Sequence, residues 1–217
     1  MQHPNILVMP EDHMERLYES RNPLVRFAHR QRLRAILARI PTDEKPLTIL
    51  DAGCGEGHLL RFLHERFPGH RYYGVDITPV ALERACVRCP AAVFERGDLA
   101  RIPFSDATFD VIVSSEVLEH MHEYRTALKE FERLLRAEGK LIVTFPNETL
   151  WTIGRFFLGR RPVKVPDHVN AFTPSAICRA TSLKKTYEHH LPFGLPFALS
   201  LTCLIEFEKS LRNSLLL

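Results

Sequence analysis

Ile49-Leu50-Asp51-Ala52-Gly53-Cys54-Gly55-Glu56-Gly57-His58 is an apolar run that breaks into three glycines at alternate positions and then passes into a helical pattern. Glycine lets a backbone turn sharply and approach a ligand with no side chain in between. A helix starting after Gly57 presents free N–H groups to a polar ligand. Leu47–Asp51 is therefore expected to be a strand, His58–Phe67 a helix, and the turn between them a ligand loop. The glycines alone do not choose among nucleotide-binding α/β folds, since dinucleotide domains use the related G-x-G-x-x-G.

The flanking sequence narrows the choice. Arg71–Asp76, Ala92–Glu95, Val111–Ser114 and Leu141–Phe145 are further runs of strand length, separated by helical patterns at Pro79–Cys89 and Tyr124–Arg136. Upstream, Val25, Ala28, Leu33, Ile36, Leu37 and Ile40 recur at helical spacing until Pro41 stops them. Strands alternating with helices predict one Rossmann-like α/β domain, a mostly parallel sheet with helices on both faces. Its parts are a helical N-terminal extension (1–44), a cofactor-binding core (45–150), a lid or insertion (151–170) and a C-terminal acceptor-side region (171–217).

Asp76 ends the second strand, 19 residues past Gly57, where a carboxylate can accept both hydroxyls of a ribose. Gly97-Asp98-Leu99 follows the third strand, where a carboxylate can meet an adenine amino group. Asp110 opens the fourth strand and reads as structural. With these features in order, residues 45–150 resemble the class I methyltransferases of the type 11 group, which use S-adenosylmethionine. The resemblance implies that Asp51, Gly53, Gly55 and Gly57, with Cys54 between them, line the methionine end of the cofactor. Asp76 and Ile77 would lie at the ribose, Asp98 and Leu99 at the adenine, and Ser114 at the end of the fourth strand. Such enzymes close the sheet with a sixth strand and an antiparallel seventh. Lys184–Leu191 supplies a sixth, but Pro196–Leu217 reads as an apolar helix in place of the last strand.

Beyond the fourth strand comes Ser114-Ser115-Glu116-Val117-Leu118-Glu119-His120-Met121-His122. On a helix, Glu116, Glu119 and His120 would share one face. Pro166-Asp167-His168-Val169-Asn170 brings another histidine towards the same end of the sheet. Two carboxylates and two imidazoles suit a divalent metal such as magnesium or zinc, with positions left open for substrate oxygens. The spacing Glu-x-x-Glu-His with a distant histidine is similar to that of the ubiquinone-biosynthesis O-methyltransferases and of the methyltransferases of small-RNA 3′ ends. In both, the residues matching Glu116, Glu119, His120 and His168 are metal ligands. Leu-Glu-His is also common at this position in methyltransferases that hold no metal, where the histidine serves as a base or bonds the backbone. His120 and Glu119 are the candidate catalytic residues on either reading. His122, His58, His64 and His70 read as surface residues.

Leu150–Arg161 carries the only tryptophan, Trp151, the pair Phe156-Phe157 and a cationic end. Aromatics of this kind can rest at an acyl boundary with arginines at phosphates, which makes 150–161 a candidate peripheral membrane contact. The resemblance to the ubiquinone-pathway enzymes agrees, since they carry an apolar insertion in the corresponding place. No run reaches the roughly 18 apolar residues of a membrane span, and the first residues show no signal-peptide pattern.

The net charge of +3 is too small to mark a nucleic-acid-binding protein, although Met14–Arg39 holds seven arginines against two glutamates. No RNA-binding module is appended, which argues against nucleic acid as partner. Five cysteines without a paired framework point to a reducing cytoplasm, and Cys86-x-x-Cys89 reads as two unrelated helix positions. The leading expectation is O-methylation of a small or lipid-linked acceptor. RNA 2′-O-methylation and a non-catalytic, cofactor-binding regulatory role are the alternatives.

Overall fold

The computed structural model describes residues 23–42, 45–157 and 168–211. β1 (Thr48–Ala52) is buried at every position, as a strand covered on both faces must be. It pairs in parallel with β2 (Arg71–Asp76) on one side and β4 (Phe109–Ser115) on the other. β3 (Val93–Arg96) continues beyond β2, and β5 (Leu135–Pro146) beyond β4. β7 (Thr202–Glu208) lies antiparallel between β5 and β6 (Lys184–Leu191), giving the order β3-β2-β1-β4-β5-β7-β6. The order reverses at β1 and β4, and ligands of open α/β sheets bind beyond the carboxyl ends of the strands at such a point.

Side chains alternate across a strand, so neighbouring residues serve opposite layers. Leu50, Ile112, Val143 and Ile205 pack with Leu128 and Phe131 of α4 (Tyr124–Leu134) and Ile177 of α6 (Pro174–Cys178). Ile49, Val111, Ile142 and Leu204 pack with Leu33 and Ile36 of α1 (Pro23–Leu37) and Leu60 and Leu63 of α2 (His58–Arg66). Leu82 of α3 (Pro79–Arg88) joins the second layer. Each fully buried aliphatic side chain contributes roughly 1.5–3 kcal/mol to folding. The two layers thus hold the strand ends, and whatever they carry, in fixed positions.

The apolar C-terminal helix expected over Pro196–Leu217 is not what forms: after a short turn at Phe197–Leu199 the chain makes β7, the seventh strand of the sheet. Both faces of β7 are covered, so its apolar run lacks the alternation that marks a half-buried strand. Glu206 obscures the pattern further. It is buried on β7 and held by Arg39 at 2.7 Å, Lys140 at 3.4 Å and the Thr186 hydroxyl at 3.0 Å. Burial pushes its carboxyl upward, but the bonds from Arg39 and Thr186 and the Lys140 charge win and hold it below the usual range. Residues 212–217 lie outside the described residues.

Three histidines also depart from expectation. His58 is buried and 3.3 Å from Glu56, which in turn binds Arg84 and Arg88. His64 and His70 are half-buried, and His70 Nδ1 accepts the Leu47 N–H. Asp110 is structural, accepting the Thr48 N–H at 2.7 Å and pairing with Arg136. Cys86 is exposed and Cys89 buried, and all five cysteines are free thiols.

Candidate active site

The glycine loop folds back over the end of β2. The N–H groups of Gly53 and Cys54 donate to the Val75 carbonyl at 2.8 and 3.1 Å. Gly53 has φ 85°, and a Cβ there would lie 2.6 Å from the Val117 side chain. Glycine is thus needed both for the left-handed turn and for contact with the loop that follows β4. Asp76 ties the next residues down: Oδ2 accepts the Gly55 N–H and Oδ1 the Thr78 N–H, each at 2.9 Å. A carboxylate has about four lone-pair sites, so both oxygens retain capacity for two hydroxyls.

Asp51 is buried, and its carboxyl is pushed up to about 8, first by burial and then by the neighbouring charge of Asp76. Asp51, Gly53, Cys54 and Ser115 line one narrow cavity together with Arg32, Leu33 and Ile36 of α1. Asp98 follows β3 and accepts the Ala100 N–H at 2.9 Å, with Leu99 buried behind it. Ile77 is half-buried just past β2, and Ser114 is buried on β4 with its hydroxyl unpartnered among the described residues.

The segment after β4 is not a helix. Glu116 takes a left-handed conformation, φ 57°, and only Leu118–His120 forms a single 3-10 turn. The expected shared helical face is therefore absent, yet part of the cluster assembles by another route. The N–H groups of Val169 and Asn170 donate to the Glu119 carbonyl at 2.9 and 3.0 Å. The Asn170 side chain donates to the carbonyls of Leu118 and Met121. These bonds staple His168 beside the turn, with the His120 and His168 rings edge to face at 4.6 Å.

Glu119, His120 and His168 each bring one potential ligand atom within 4.8 Å of the others. Glu116 lies outside that trio and binds Arg32 at 3.3 Å. Both Glu119 oxygens are buried with no hydrogen-bond partner among the described residues. Burial, reinforced by the Glu116 charge, drives the Glu119 carboxyl well above the carboxylate range. Burial also raises Glu116, against the opposing pull of Arg32 and His168. His122 is exposed, as expected.

Two contributors were not read from the sequence. Glu148, at the start of α5 (Glu148–Phe157), is hydrogen-bonded to His168 Nδ1. Arg32 is one of several arginines at helical spacing, and nothing in that spacing distinguishes the buried one. On α5, Trp151 is half-buried while Ile153 and Phe156 are exposed; residues 158–161 of the expected membrane contact lie outside the described residues, as do Pro166 and Asp167.

Residues 50–143 match the family described as "Methyltransferase domain", type 11. Malonyl-[acyl-carrier protein] O-methyltransferase of Serratia marcescens is 33% identical over 144 residues, 66% of this chain and 54% of that one. Demethylmenaquinone methyltransferase of Thermus thermophilus is 31% identical over 130 residues, 58% of this chain and 59% of that one. The chain spans little more than half the length of these curated relatives. The crystal structure of magnesium protoporphyrin IX methyltransferase from Synechocystis PCC 6803, with bound SAH, shares the fold at a TM-score of 0.72 and 20% identity, over 92% of this chain and 94% of that one. Fold, glycine loop and family match agree: residues 50–143 form a methyltransferase domain of the type 11 family, similar to S-adenosylmethionine-dependent enzymes.

Proposed function

We propose that the protein moves the methyl group of S-adenosylmethionine to an oxygen of a small or lipid-linked acceptor. The observation that carries this reading is Glu119 beside His120 and His168, with both carboxylate oxygens buried and uncommitted. The sulfonium carbon is already activated, so the protein must align an in-line displacement and remove the acceptor's proton. A Cβ at Gly53 would lie 2.6 Å from Val117, two residues before Glu119, and this closeness supports a reading in which cofactor and base adjoin. An O-methyltransferase among the relatives supports oxygen as the accepting atom. Exposed Ile153 and Phe156 on α5 and exposed Phe193, Leu195 and Leu199 support an apolar acceptor and contact of 150–161 with a lipid surface.

Asp51, Gly53, Cys54, Gly55 and Gly57 would hold the amino-acid end of the cofactor, Asp76 and Ile77 the ribose, Asp98 and Leu99 the adenine, with Ser114 below. Asp51 fits a cationic ligand, because its buried carboxyl titrates near 8 in the free protein. The ammonium of the cofactor favours the ionised form, so binding near pH 7 should release close to one proton. Calorimetry with S-adenosylhomocysteine in two buffers of different ionisation heat measures this, and Asp51→Asn should abolish the release. Equal proton counts for the two proteins would place the amino-acid end elsewhere.

A divalent metal also fits the acidic cluster, because two imidazoles and an unpaired carboxylate form a suitable donor set. Glu119, His120 and His168 would hold it, and the bond from Glu148 would orient the His168 ring. The ion would lower the pKa of an acceptor hydroxyl. Turnover unaffected by chelator would leave Glu119 and His120 as the base without it.

Incubation with methyl-labelled S-adenosylmethionine and cell extract, followed by partition between organic solvent and water, tests the acceptor class. Label in the organic phase is the expected result. Label confined to nuclease-sensitive aqueous material would instead identify RNA as the substrate.

A further inference from the structure

Glu188-His189-His190 on β6 and Cys203 on β7 were no part of the chemistry above, yet the strand register brings three of their side chains together. His190 is directly paired with Cys203, and Glu188, two residues earlier on the same strand, is paired with Ile205. Residues paired across two strands, and residues two apart along one, share a face. One ligand atom from each of Glu188, His190 and Cys203 lies within 4.8 Å of the other two. Cys203 is fully buried beneath, whereas Glu188 and His190 are partly exposed above it, so the cluster opens to solvent on one side.

The hydrogen bonds of His190 say what the cluster lacks. Nδ1 lies 3.0 Å from the carbonyl oxygen of Leu195, which can only accept, so Nδ1 carries a proton. In a neutral ring Nε2 then bears a lone pair, and it faces Glu188 Oε1 at 2.9 Å, a second acceptor. Two lone pairs at that distance require a cation with them. Lys185 does not supply it, because its ammonium binds the other carboxylate oxygen of Glu188 at 2.7 Å. An extra proton on the ring would satisfy His190 and Glu188 alone. A metal ion engages all three.

We propose that Glu188, His190 and Cys203 form a binding site for a borderline-soft divalent cation of the zinc type, separate from the methyl-transfer centre. The donor set of one sulfur, one imidazole nitrogen and one carboxylate oxygen suits zinc and excludes the oxygen-preferring magnesium and calcium. An imidazole anchored through its other nitrogen to a backbone carbonyl is the usual way a metal-binding ring is oriented. Three protein ligands leave a fourth position for water or an exogenous ligand. The ion would pin the β6–β7 pair and the Leu191–Ser200 loop at the end of the sheet nearest the acceptor.

Cobalt(II) titration of the metal-free full chain tests this directly. One equivalent should give a thiolate-to-cobalt charge-transfer band that zinc abolishes. The Glu119–His120–His168 cluster contains no sulfur, so the band reports only on a cysteine-containing site, and it should survive His168→Ala and Cys86→Ser. It should vanish in Cys203→Ser, and His190→Gln should weaken cobalt binding by about tenfold or more. In the His168→Ala background, zinc should also raise the melting temperature of the protein that retains His190 but not of one that also carries His190→Gln. Cys203 is in the core, where a substitution can disturb folding by itself, so the half-buried His190 carries the test independently. No charge-transfer band in the folded wild type, or a band that persists in Cys203→Ser, would overturn the site and leave an imidazolium–carboxylate pair.

Discussion

Asp76→Ala is expected to weaken S-adenosylhomocysteine binding by about 100- to 1,000-fold, measured by calorimetry at neutral pH. Hydrogen bonds to a charged group contribute about 1.5–3 kcal/mol each, and the ribose offers two. The carboxylate also accepts the Gly55 and Thr78 N–H groups, so its removal slackens the loop that must hold the rest of the cofactor. Asp76→Asn separates the two effects. It keeps one acceptor oxygen, and it should retain more affinity than the alanine variant. Affinity of Asp76→Ala within about threefold of wild type, with the protein folded, would mean that the ribose lies elsewhere; a pair of lost charged bonds cannot be that small.

Glu119→Gln should lower kcat by about 100- to 10,000-fold, the usual range for loss of a general base, with little change in cofactor affinity. Stability provides the contrast. Glu119 is a buried acid with neither oxygen hydrogen-bonded among the described residues, so folding at neutral pH must bury its charge or take up a proton, and either costs stability. The neutral amide should leave the melting temperature equal or higher. A residue kept for structure would give the opposite pattern, with turnover preserved and stability lost. Turnover within about threefold of wild type would remove Glu119 from the reaction.

The glycine loop and the position of Asp76 were legible because they are written locally. Gly53, Gly55 and Gly57 lie next to each other in sequence, and Asp76 falls at the end of a strand whose boundaries the structure reproduces. The cluster after β4 is written across distance. His168 reaches His120 only through Asn170 and the Glu119 carbonyl, bonds that no spacing announces. Helical periodicity was the wrong guide after β4, because a left-handed Glu116 breaks the turn before a helix can begin. β7 was missed because burial on both faces erases alternation and a paired Glu206 interrupts the apolar run. Arg32 illustrates the general limit. Charge is a property of the residue, but burial beside Glu116 is a property of the packed fold.

The place of β7 in the sheet also sets an order of events during synthesis. Every strand from β2 to β5 pairs with a neighbour that has already been made, but β6 has no such partner when it emerges, since β7 separates it from β5. Until residues 202–208 arrive, β5 presents an unpaired edge rich in buried apolar side chains, the kind of edge that joins to other chains. A nascent chain paused between β6 and β7 therefore spends that time with an aggregation-prone edge exposed. The sheet becomes a closed unit in one late step, when a single strand slots between two that have been waiting for it.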